Sequence, residues 1–484
     1  MACLLSKSAA VYRPRRALES DLHSVVRERW DEFRTVYAER FARKCGHWRP
    51  AIEHAARRFL KCGDLRHGFA RVRCPDCRHE YLVAFSCKQR CICPSCSQKR
   101  TILFGLHVSE DVCLDVPHRQ FVWTVPKRLR IFFRYHRDLL RELPRLAWRT
   151  LQTVYRALLG DHATPGGVLA VQTFGQLLHF HPHIHGLVTD GAFAPDGRFL
   201  HLPVNLGHEP FLRLWENAVF SLLLDAGRIE PSVVTQIRSW RHSGFSVDRS
   251  VRLRAGDRAG VRGLAEYMAR SPFSLARLIK ITPTGQVVYR AEKHTPRRFP
   301  DPASDDLRAG AKRNFHVFDP LDFLAELTQH IPDKGEHLIR YYGHYSNKAR
   351  GMRAKRDAEP AEGSPSSKPA KPNPAPLDRR RWATLIKQIY EADPLLCPKC
   401  GGTMKVIAFI EARQGDVIRK ILQHCGHWQD PAPRPPPQRA PKRPEPGFPL
   451  FHAALAEAAA EVDPEFLEHL RYEDLPEPQP PWDD

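Results

Sequence analysis

The sequence predicts an α+β fold in which a central antiparallel sheet packs with helices and follows a helical, cysteine-rich N-terminal module. Residues 116–126 alternate as a strand does, and the basic amphipathic stretch after them, through residue 159, predicts a long helix. Two further β-rich runs, 168–174 and 179–191, are separated by a turn that begins at Gly175. A strand, a helix and two strands in antiparallel order favour a sheet with helices covering one of its faces.

The composition favours a nucleic-acid partner. The 484 residues suffice for two to four domains and a full hydrophobic core. Lys and Arg number 75 against 54 Asp and Glu, and the net charge of +21 favours a polyanionic partner, most simply nucleic acid. No apolar run approaches the roughly 20 residues that span a bilayer, and the first residues do not resemble a secretory signal. We therefore expect a cytoplasmic, nucleoid-associated protein with no membrane partner.

Two amphipathic helices are predicted near the start of the chain. The first follows an N-cap at Ser20 or Asp21, and the second begins at Pro50. Their apolar stripes predict core packing and carry no chemistry. Later in the chain we expect helices at 209–226, 257–270 and 321–330, a short strand at 247–253 and a hairpin at 279–289.

The thirteen cysteines are mostly grouped in Cys-x-x-Cys patterns, which indicates metal binding in a reducing compartment rather than disulfides. Two knuckles, Cys74-Pro-Asp-Cys77 and Cys93-Pro-Ser-Cys96, are separated by 15 residues, the spacing of a zinc ribbon. Four thiolates suit a tetrahedral structural Zn²⁺, and its predicted ligands are Cys74, Cys77, Cys93 and Cys96. A second site of mixed ligands would use the remaining Cys62, His67, Cys87 and Cys91. The alternative for these four is ordinary buried thiols with a surface histidine.

Four histidines fall within seven positions at the start of the run 179–191. Side chains alternate between the faces of a strand, so His183 and His185 share one face while Ile184 lies on the other. Two adjacent imidazoles form a two-pronged ligand set for a divalent cation. A pair of half-exposed strand histidines is the simpler alternative, and repeated histidine is a costly way to fill a core.

The C-terminal part of the sequence is less regular. A Cys397-Pro-Lys-Cys400 knuckle looks like half a zinc ribbon that His424, Cys425 or His427 would complete, and an unmetallated turn is the alternative. The predicted domains are a helical and zinc-binding DNA-contacting module (1–110), a catalytic domain (111–353), a disordered linker (354–378), a small helix and knuckle unit (379–430) and a mostly disordered Pro-rich tail (431–484).

Together these segments resemble the insertion-sequence-91-type transposases, including the related common-region elements, within the HUH rolling-circle superfamily. The resemblance covers residues 20–350, and the region 393–428 is also similar. Besides the cysteine knuckles, it is carried by His67-Gly-Phe-Ala-Arg71, Phe85-Ser-Cys87-Lys, Gln172-Thr-Phe-Gly175, His181-Pro-His-Ile-His-Gly186, Tyr267, Ser271-Pro-Phe-Ser274 and Arg277-Leu.

The resemblance implies an HUH-type sheet and a transposase that nicks and rejoins single-stranded DNA at element termini and at the target. Tyr267 would attack the scissile phosphate, leaving a 5′-phosphotyrosine link and a free 3′-hydroxyl. The alternative for Tyr267 is a helix tyrosine whose ring packs on the sheet. Some family members carry a second tyrosine one helical turn earlier; here that position is Gly263, which indicates the single-tyrosine variant.

The resemblance also implies a catalytic Mg²⁺ or Mn²⁺ bound by His183 and His185. Gln172 is the expected third ligand, because it lies on the preceding strand and would face the pair across the hairpin. A polar residue on the sheet surface is the alternative, and His181 or Glu266 would then substitute. Phosphate contacts are expected from Arg270, Arg277 and Lys280, for which a solvated basic face is the alternative.

Two other functions are consistent with the same motifs. A plasmid relaxase or replication initiator would use the same site, although the N-terminal cysteine cluster favours a transposase. A zinc-ribbon DNA-binding regulator would have no catalysis at all.

Overall fold

Helices and antiparallel strands make up the computed structural model, which describes residues 17–291, 297–298, 312–358 and 396–428. The helices are α1 (Asp21–Arg40), α2 (Ala42–Cys45), α3 (Pro50–Phe59), α4 (Pro94–His107), α5 (Arg130–Tyr135), α6 (Arg137–Leu159), α7 (Glu209–Asp225), α8 (Pro231–Ser239), α9 (Arg258–Met268), α10 (Pro320–Thr328), α11 (Asn347–Ala358) and α12 (Gly415–His424). The strands are β1 (Gly68–Arg73), β2 (Glu80–Ala84), β3 (His118–Thr124), β4 (Gly166–Phe174), β5 (Phe180–Thr189), β6 (Gly191–Phe193), β7 (Phe199–His201), β8 (Ser246–Asp248), β9 (Arg252–Leu253), β10 (Leu278–Ile281), β11 (Val287–Arg290), β12 (Arg297–Arg298), β13 (Lys312–Arg313), β14 (Phe315–Phe318), β15 (Ile339–Gly343) and β16 (Lys405–Glu411). A π-helical turn, Val108–Val112, continues α4.

The central sheet has the strand order β15-β4-β5-β3-β8, and β9 also pairs with β3. Every pairing in it is antiparallel. The histidine strand β5 lies in the middle, with β4 on one side and β3 on the other. The predicted α+β class, with a central antiparallel sheet behind a helical and cysteine-bearing N-terminal module, is confirmed.

Helices cover both faces of this sheet, whereas the sequence predicted cover on one face. On one face, Trp123 and Ile184 join the largest core together with side chains of α5, α6 and α7. On the other face, Val168 and Leu187 pack against α9 and the π-helical turn. The second apolar face was not evident from the sequence because the histidines take alternate positions of β5, so that face looks polar.

The N-terminal helices share a core with residues far along the chain. The Ser20 side chain caps α1 by accepting a hydrogen bond from the His23 amide at 3.3 Å, so Ser20 is the N-cap of the two predicted candidates. Aromatic side chains of α1 meet Phe323 of α10 and Tyr289 of β11 in one hydrophobic cluster. The smaller sheet β10-β11-β14 thus links these helices to the segment that comes after α9.

A third sheet has the order β16-β1-β2, so the C-terminal segment completes the N-terminal module. The sequence treats 379–430 as a unit of its own; the described part, 396–428, instead pairs β16 with β1 over six residue pairs. Helix α11 extends to residue 358, into the predicted linker. The rest of that linker, the helix expected after residue 379 and the predicted tail lie outside the described residues. Among the described helices, none is long and apolar enough to cross a membrane.

Candidate active site and cysteine clusters

The two histidines predicted as metal ligands converge on one point of the central strand. His183 and His185 are buried, and their Nε2 atoms lie 3.0 Å apart. The sequence explains this convergence, since side chains two positions apart on a strand share a face. The registered neighbours of His183 are Gln172 on β4 and Thr124 on β3, which places Gln172 on the histidine face as predicted.

Hydrogen bonds fix the tautomer of His183. Its Nδ1 lies 2.8 Å from the His181 carbonyl oxygen, which can only accept, so Nδ1 carries the proton and Nε2 presents a lone pair. His185 Nδ1 lies 3.3 Å from the side-chain amide nitrogen of Gln120. The amide donates to Nδ1 in this orientation, so His185 Nε2 carries its proton and donates to His183.

Both imidazoles are held neutral. Burial lowers the pKa of His183 to about 4, and the charge of Arg270 acts in the same direction. Burial also lowers the pKa of His185 well below its ordinary value, with further contributions from His183 and Arg270. Neutral imidazole is the form that binds metal ions, so the environment of this pair suits ligation.

The donor set fits a divalent cation. In an octahedral site with ligand bonds of about 2.1 Å, adjacent ligand atoms are about 3.0 Å apart. The Nε2 separation of 3.0 Å matches that distance. Two buried polar atoms nearby, Gln172 Oε1 and His181 Nε2, have no hydrogen-bond partner among the described residues. Each therefore fits the role of third ligand.

Glu266, the other candidate third ligand, faces a different element. Its Oε1 accepts a hydrogen bond from Arg262 Nε at 2.8 Å on the same helix. A Cβ placed on Gly105 of α4 would meet the Glu266 side chain at 2.5 Å. Glu266 therefore packs on α4, and Gly105 leaves the space for it.

Tyr267 lies beside the histidine pair. Its helix, α9, is capped by the Asp257 side chain, which accepts from the Gly260 amide at 2.8 Å. The ring of Tyr267 stands edge-on to His185, with centroids 5.2 Å apart and an interplanar angle of 88°. The Arg270 guanidinium lies over the Tyr267 ring, 4.2 Å from its centroid. The structure thus brings together the predicted tyrosine, both histidines and one predicted phosphate-binding arginine.

The other two predicted phosphate contacts lie on the smaller sheet. Arg277 directs Nε to the Arg290 carbonyl oxygen at 2.9 Å and stacks over Tyr289, so these contacts run to β11. Lys280 is exposed on β10.

The first cysteine cluster lies between the N-terminal helices and the start of α4. Its members are the buried Cys62, Cys87, Cys93 and Cys96, whose sulfur atoms all lie within 4.8 Å of one another. The described Sγ–Sγ distances are 3.6 Å and 3.8 Å. A tetrahedral zinc tetrathiolate with bonds of about 2.3 Å has sulfur atoms about 3.8 Å apart, so these residues fit Zn²⁺.

The second cluster joins residues from opposite ends of the chain. Its members are Cys74, Cys77, Cys397 and Cys400. The spacing had grouped Cys74 and Cys77 with Cys93 and Cys96, and the structure instead divides these two knuckles between two clusters. Both knuckles have a proline after the first cysteine, but their local structures differ: Cys93 is the N-cap residue of α4, whereas Cys74 begins a tight turn between β1 and β2.

Several other predicted ligands belong to neither described cluster. His67 lies 3.8 Å from the Asp64 carboxylate, and Cys91 is only partly buried. His424, Cys425 and His427 are exposed at the end of α12. The structure therefore places Cys74 and Cys77, rather than these three residues, beside the C-terminal knuckle.

Gln120 is a site residue that the sequence analysis missed. It is 3% exposed and contacts His185 through its side-chain amide. Strand β3 also carries the polar residues His118, Arg119 and Thr124, so no local pattern in the sequence singles out Gln120.

Two family models match the chain. The one described as a putative transposase matches residues 166–353, which include the histidine pair and Tyr267. The one described as a transposase zinc-binding domain matches residues 30–125, which include all four members of the first cysteine cluster. These matches define the protein as a transposase with a zinc-binding domain.

Two curated relatives add detail. The transposase for insertion sequence element IS801 of Pseudomonas savastanoi pv. phaseolicola is 27% identical over 369 residues, covering 73% of this chain and 82% of that protein. The putative transposase y4qJ of Sinorhizobium fredii is 25% identical over 297 residues, covering 57% of this chain and 70% of that protein. Over most of its length the chain is therefore similar to transposases of the insertion-sequence-91 type. No solved structure matches it.

Proposed function

We propose that this transposase nicks and rejoins single-stranded DNA at element ends through a covalent 5′-phosphotyrosine on Tyr267. The observation that carries the proposal is the contact between Tyr267 and His185, whose ring centroids are 5.2 Å apart beside the converging Nε2 atoms. A tyrosine next to a cation-binding imidazole pair has both parts that phosphodiester cleavage needs, a nucleophile and a site for charge stabilisation. Both relatives are described as transposases, which favours element movement over plasmid relaxation or replication initiation.

The proposed step balances without an external energy source. The phenolic oxygen of Tyr267 attacks the scissile phosphorus, the bond from phosphorus to the 3′ oxygen breaks, and the phenolic proton ends on that oxygen. The products are a 5′-phosphotyrosyl strand and a free 3′-hydroxyl. Attack by a 3′-hydroxyl on the phosphotyrosine reverses the step, so strands are rejoined without ATP.

The residues around Tyr267 have separate tasks. Arg270 holds its positive charge over the tyrosine ring, where it stabilises the phenolate and a nearby phosphate oxygen. His183 and His185, with Gln172 or His181, would hold a Mg²⁺ or Mn²⁺, which when bound polarises the scissile phosphate. Arg277 and Lys280, on the smaller sheet, would contact the strand further from the cleavage point.

We also propose a structural Zn²⁺ on Cys62, Cys87, Cys93 and Cys96. All four are buried within the region that matches the zinc-binding family model. Because Cys93 is the N-cap residue of α4 and α4 packs on α9, this zinc would stabilise the helix that supports the tyrosine helix.

Substitution of the tyrosine tests the nuclease proposal. We expect wild-type protein incubated with single-stranded terminal DNA and Mn²⁺ to form a covalent adduct, and Tyr267→Phe to lose it while still binding DNA. The measurement is a denaturing gel of labelled DNA, followed by peptide mapping of the adduct. Tyr341→Phe on β15 is the matched control and should form the adduct normally. An adduct that persists in Tyr267→Phe would overturn the assignment, and DNA binding without any wild-type adduct would indicate a non-catalytic regulator.

A further inference from the structure

The second cysteine cluster joins two knuckles that are far apart in sequence. Cys74 Sγ lies 3.5 Å from Cys400 Sγ, and Cys77 Sγ lies 3.4 Å from Cys397 Sγ. All four sulfur atoms lie within 4.8 Å of one another. These separations exceed the roughly 2.05 Å of a disulfide bond and approach the edge of about 3.8 Å in a zinc tetrathiolate.

The two knuckles have the same backbone geometry. In the first, the Arg78 amide donates to the Cys74 carbonyl oxygen at 3.1 Å, and Arg78 has a φ of 60°. In the second, the Gly401 amide donates to the Cys397 carbonyl oxygen at 2.9 Å, and Gly401 has a φ of 72°. Each turn thus presents two sulfur atoms in the same way, and a pair of such turns supplies four tetrahedral ligands.

The backbones approach closely where the knuckles meet. A Cβ on Gly402 would lie 2.1 Å from Asp76 Oδ2 of the opposite knuckle. Cys74 and Cys397 are buried there in a small cluster with Val72 and Met404, while Cys77 and Cys400 are exposed. The packing therefore positions the four thiols, and it leaves an open side through which a metal ion can enter.

The C-terminal segment has little else to hold it in place. Beyond the pairing of β16 with β1, its described core consists of Phe69, Ile410, Ile418 and Leu422, with partly buried neighbours. Strand β16 leaves Phe409 68% exposed. Units with so small a core usually need a metal or a disulfide for stability.

We infer that Cys74, Cys77, Cys397 and Cys400 bind one structural Zn²⁺ that fastens the C-terminal segment, residues 396–428, to the N-terminal module. The matched zinc-binding region ends at residue 125 and so leaves Cys397 and Cys400 unassigned. The inference is independent of the catalytic proposal, because these four residues lie in turns next to the sheet β16-β1-β2, whereas the histidine pair lies on the central sheet.

Metal counting on the full chain tests the inference. We expect two zinc ions per wild-type chain after gel filtration in reductant, measured by mass spectrometry of the metal. Cys397→Ser with Cys400→Ser should retain one, and so should Cys74→Ser with Cys77→Ser. The fourfold variant should also retain one, because both pairs bind the same ion. Cys425→Ser, an exposed cysteine in the same segment, is the control and should retain two.

Full zinc content in the Cys397 and Cys400 double variant would overturn the inference. So would the loss of two ions from the fourfold variant while it elutes as folded protein. If the serine variants do not fold, Cys400→His provides the test, because histidine can still bind the metal ion at this position. In cadmium-substituted protein we expect two NMR resonances, of which Cys400→His shifts one and leaves the other; two unshifted resonances would contradict the shared site.

Discussion

The amide of Gln120 controls which nitrogen of His185 carries a proton. In the orientation described, the amide donates to His185 Nδ1, and Gln120 Oε1 is buried without a hydrogen-bond partner among the described residues. Rotation of the amide by half a turn would place Oε1 against Nδ1, which then donates, and would release the Nε2 lone pair. For the metal site proposed above, the first orientation would suit the metal-free histidine pair and the second the metal-bound pair.

We predict that Gln120→Leu weakens Mn²⁺ binding about 10- to 100-fold, the usual cost of losing a partner behind a metal ligand. Gln120→Glu should bind Mn²⁺ at least as tightly as wild type, because a carboxylate only accepts and so keeps the proton on His185 Nδ1. Isothermal titration with Mn²⁺ measures both variants without relying on activity. Equal affinity of Gln120→Leu and wild type would refute this role.

The neighbouring side chains that could be predicted from the sequence were those related by strand periodicity or by the register of a hairpin. His183 and His185 share a face because they are two positions apart, and Gln172 joins them through the register of a hairpin with a short turn. Gln120 depends instead on the pairing of β3 with β5, two strands that are separated in sequence by α5, α6 and β4. No local pattern specifies that pairing, so the residue behind His185 could not be assigned from the sequence.

Among the elements, α9 determines where Tyr267 lies. Leu264, Ala265 and Met268 are buried against the central sheet. Gln172 Nε2 donates to the carbonyl oxygens of Tyr267 and Met268 at 2.9 Å and 3.1 Å, which satisfies two acceptors at the helix end. The same side chain thus holds the tyrosine helix through its nitrogen and faces the histidine pair from the adjacent strand.

Gln172→Glu separates these two tasks. A carboxylate is a good cation ligand but cannot donate to the two carbonyl oxygens, which it repels. We predict retained or tighter Mn²⁺ binding together with a loss of adduct yield on the order of 100-fold, the size of effect expected from misplacing a reacting group by about 1 Å. Titration calorimetry and the adduct gel give the two readouts. An adduct yield equal to that of wild type would exclude the helix-holding role.

The spacing of the cysteine knuckles in the sequence did not predict which knuckles lie together in the structure. The prediction paired the two nearest knuckles because zinc ribbons are usually continuous in sequence. In the structure β1 takes β16 as its second neighbour, and that pairing brings Cys397 and Cys400 to Cys74 and Cys77. The pairing of strands so far apart in the chain produces no periodic pattern in the sequence. The sequence indicated it only through the third knuckle, Cys397 and Cys400, which had no second knuckle nearby.

In the molecule as a whole, the expected boundary at residue 110 divides a continuous core. Phe33 and Tyr37 of α1 lie in one cluster with Phe273, Tyr289 and Phe323. Polar contacts reinforce this packing: Arg49 pairs with Asp333 at 2.7 Å and donates to the carbonyl oxygen of Ile331 at 2.7 Å. The helices that begin the chain therefore complete the fold of the segment after Tyr267.

We predict that a fragment of residues 111–353 does not fold as an independent unit. Removing α1 and α3 would uncover the apolar faces of α10 and β11, and exposed patches of that kind bind dyes and promote association. We expect dye fluorescence and a broad, non-cooperative thermal transition, whereas a fragment of residues 17–358 should unfold cooperatively. Calorimetry and anilinonaphthalene sulfonate binding compare the two. A sharp transition in 111–353 without dye binding would indicate that the central sheet and α9 are stable without the N-terminal helices.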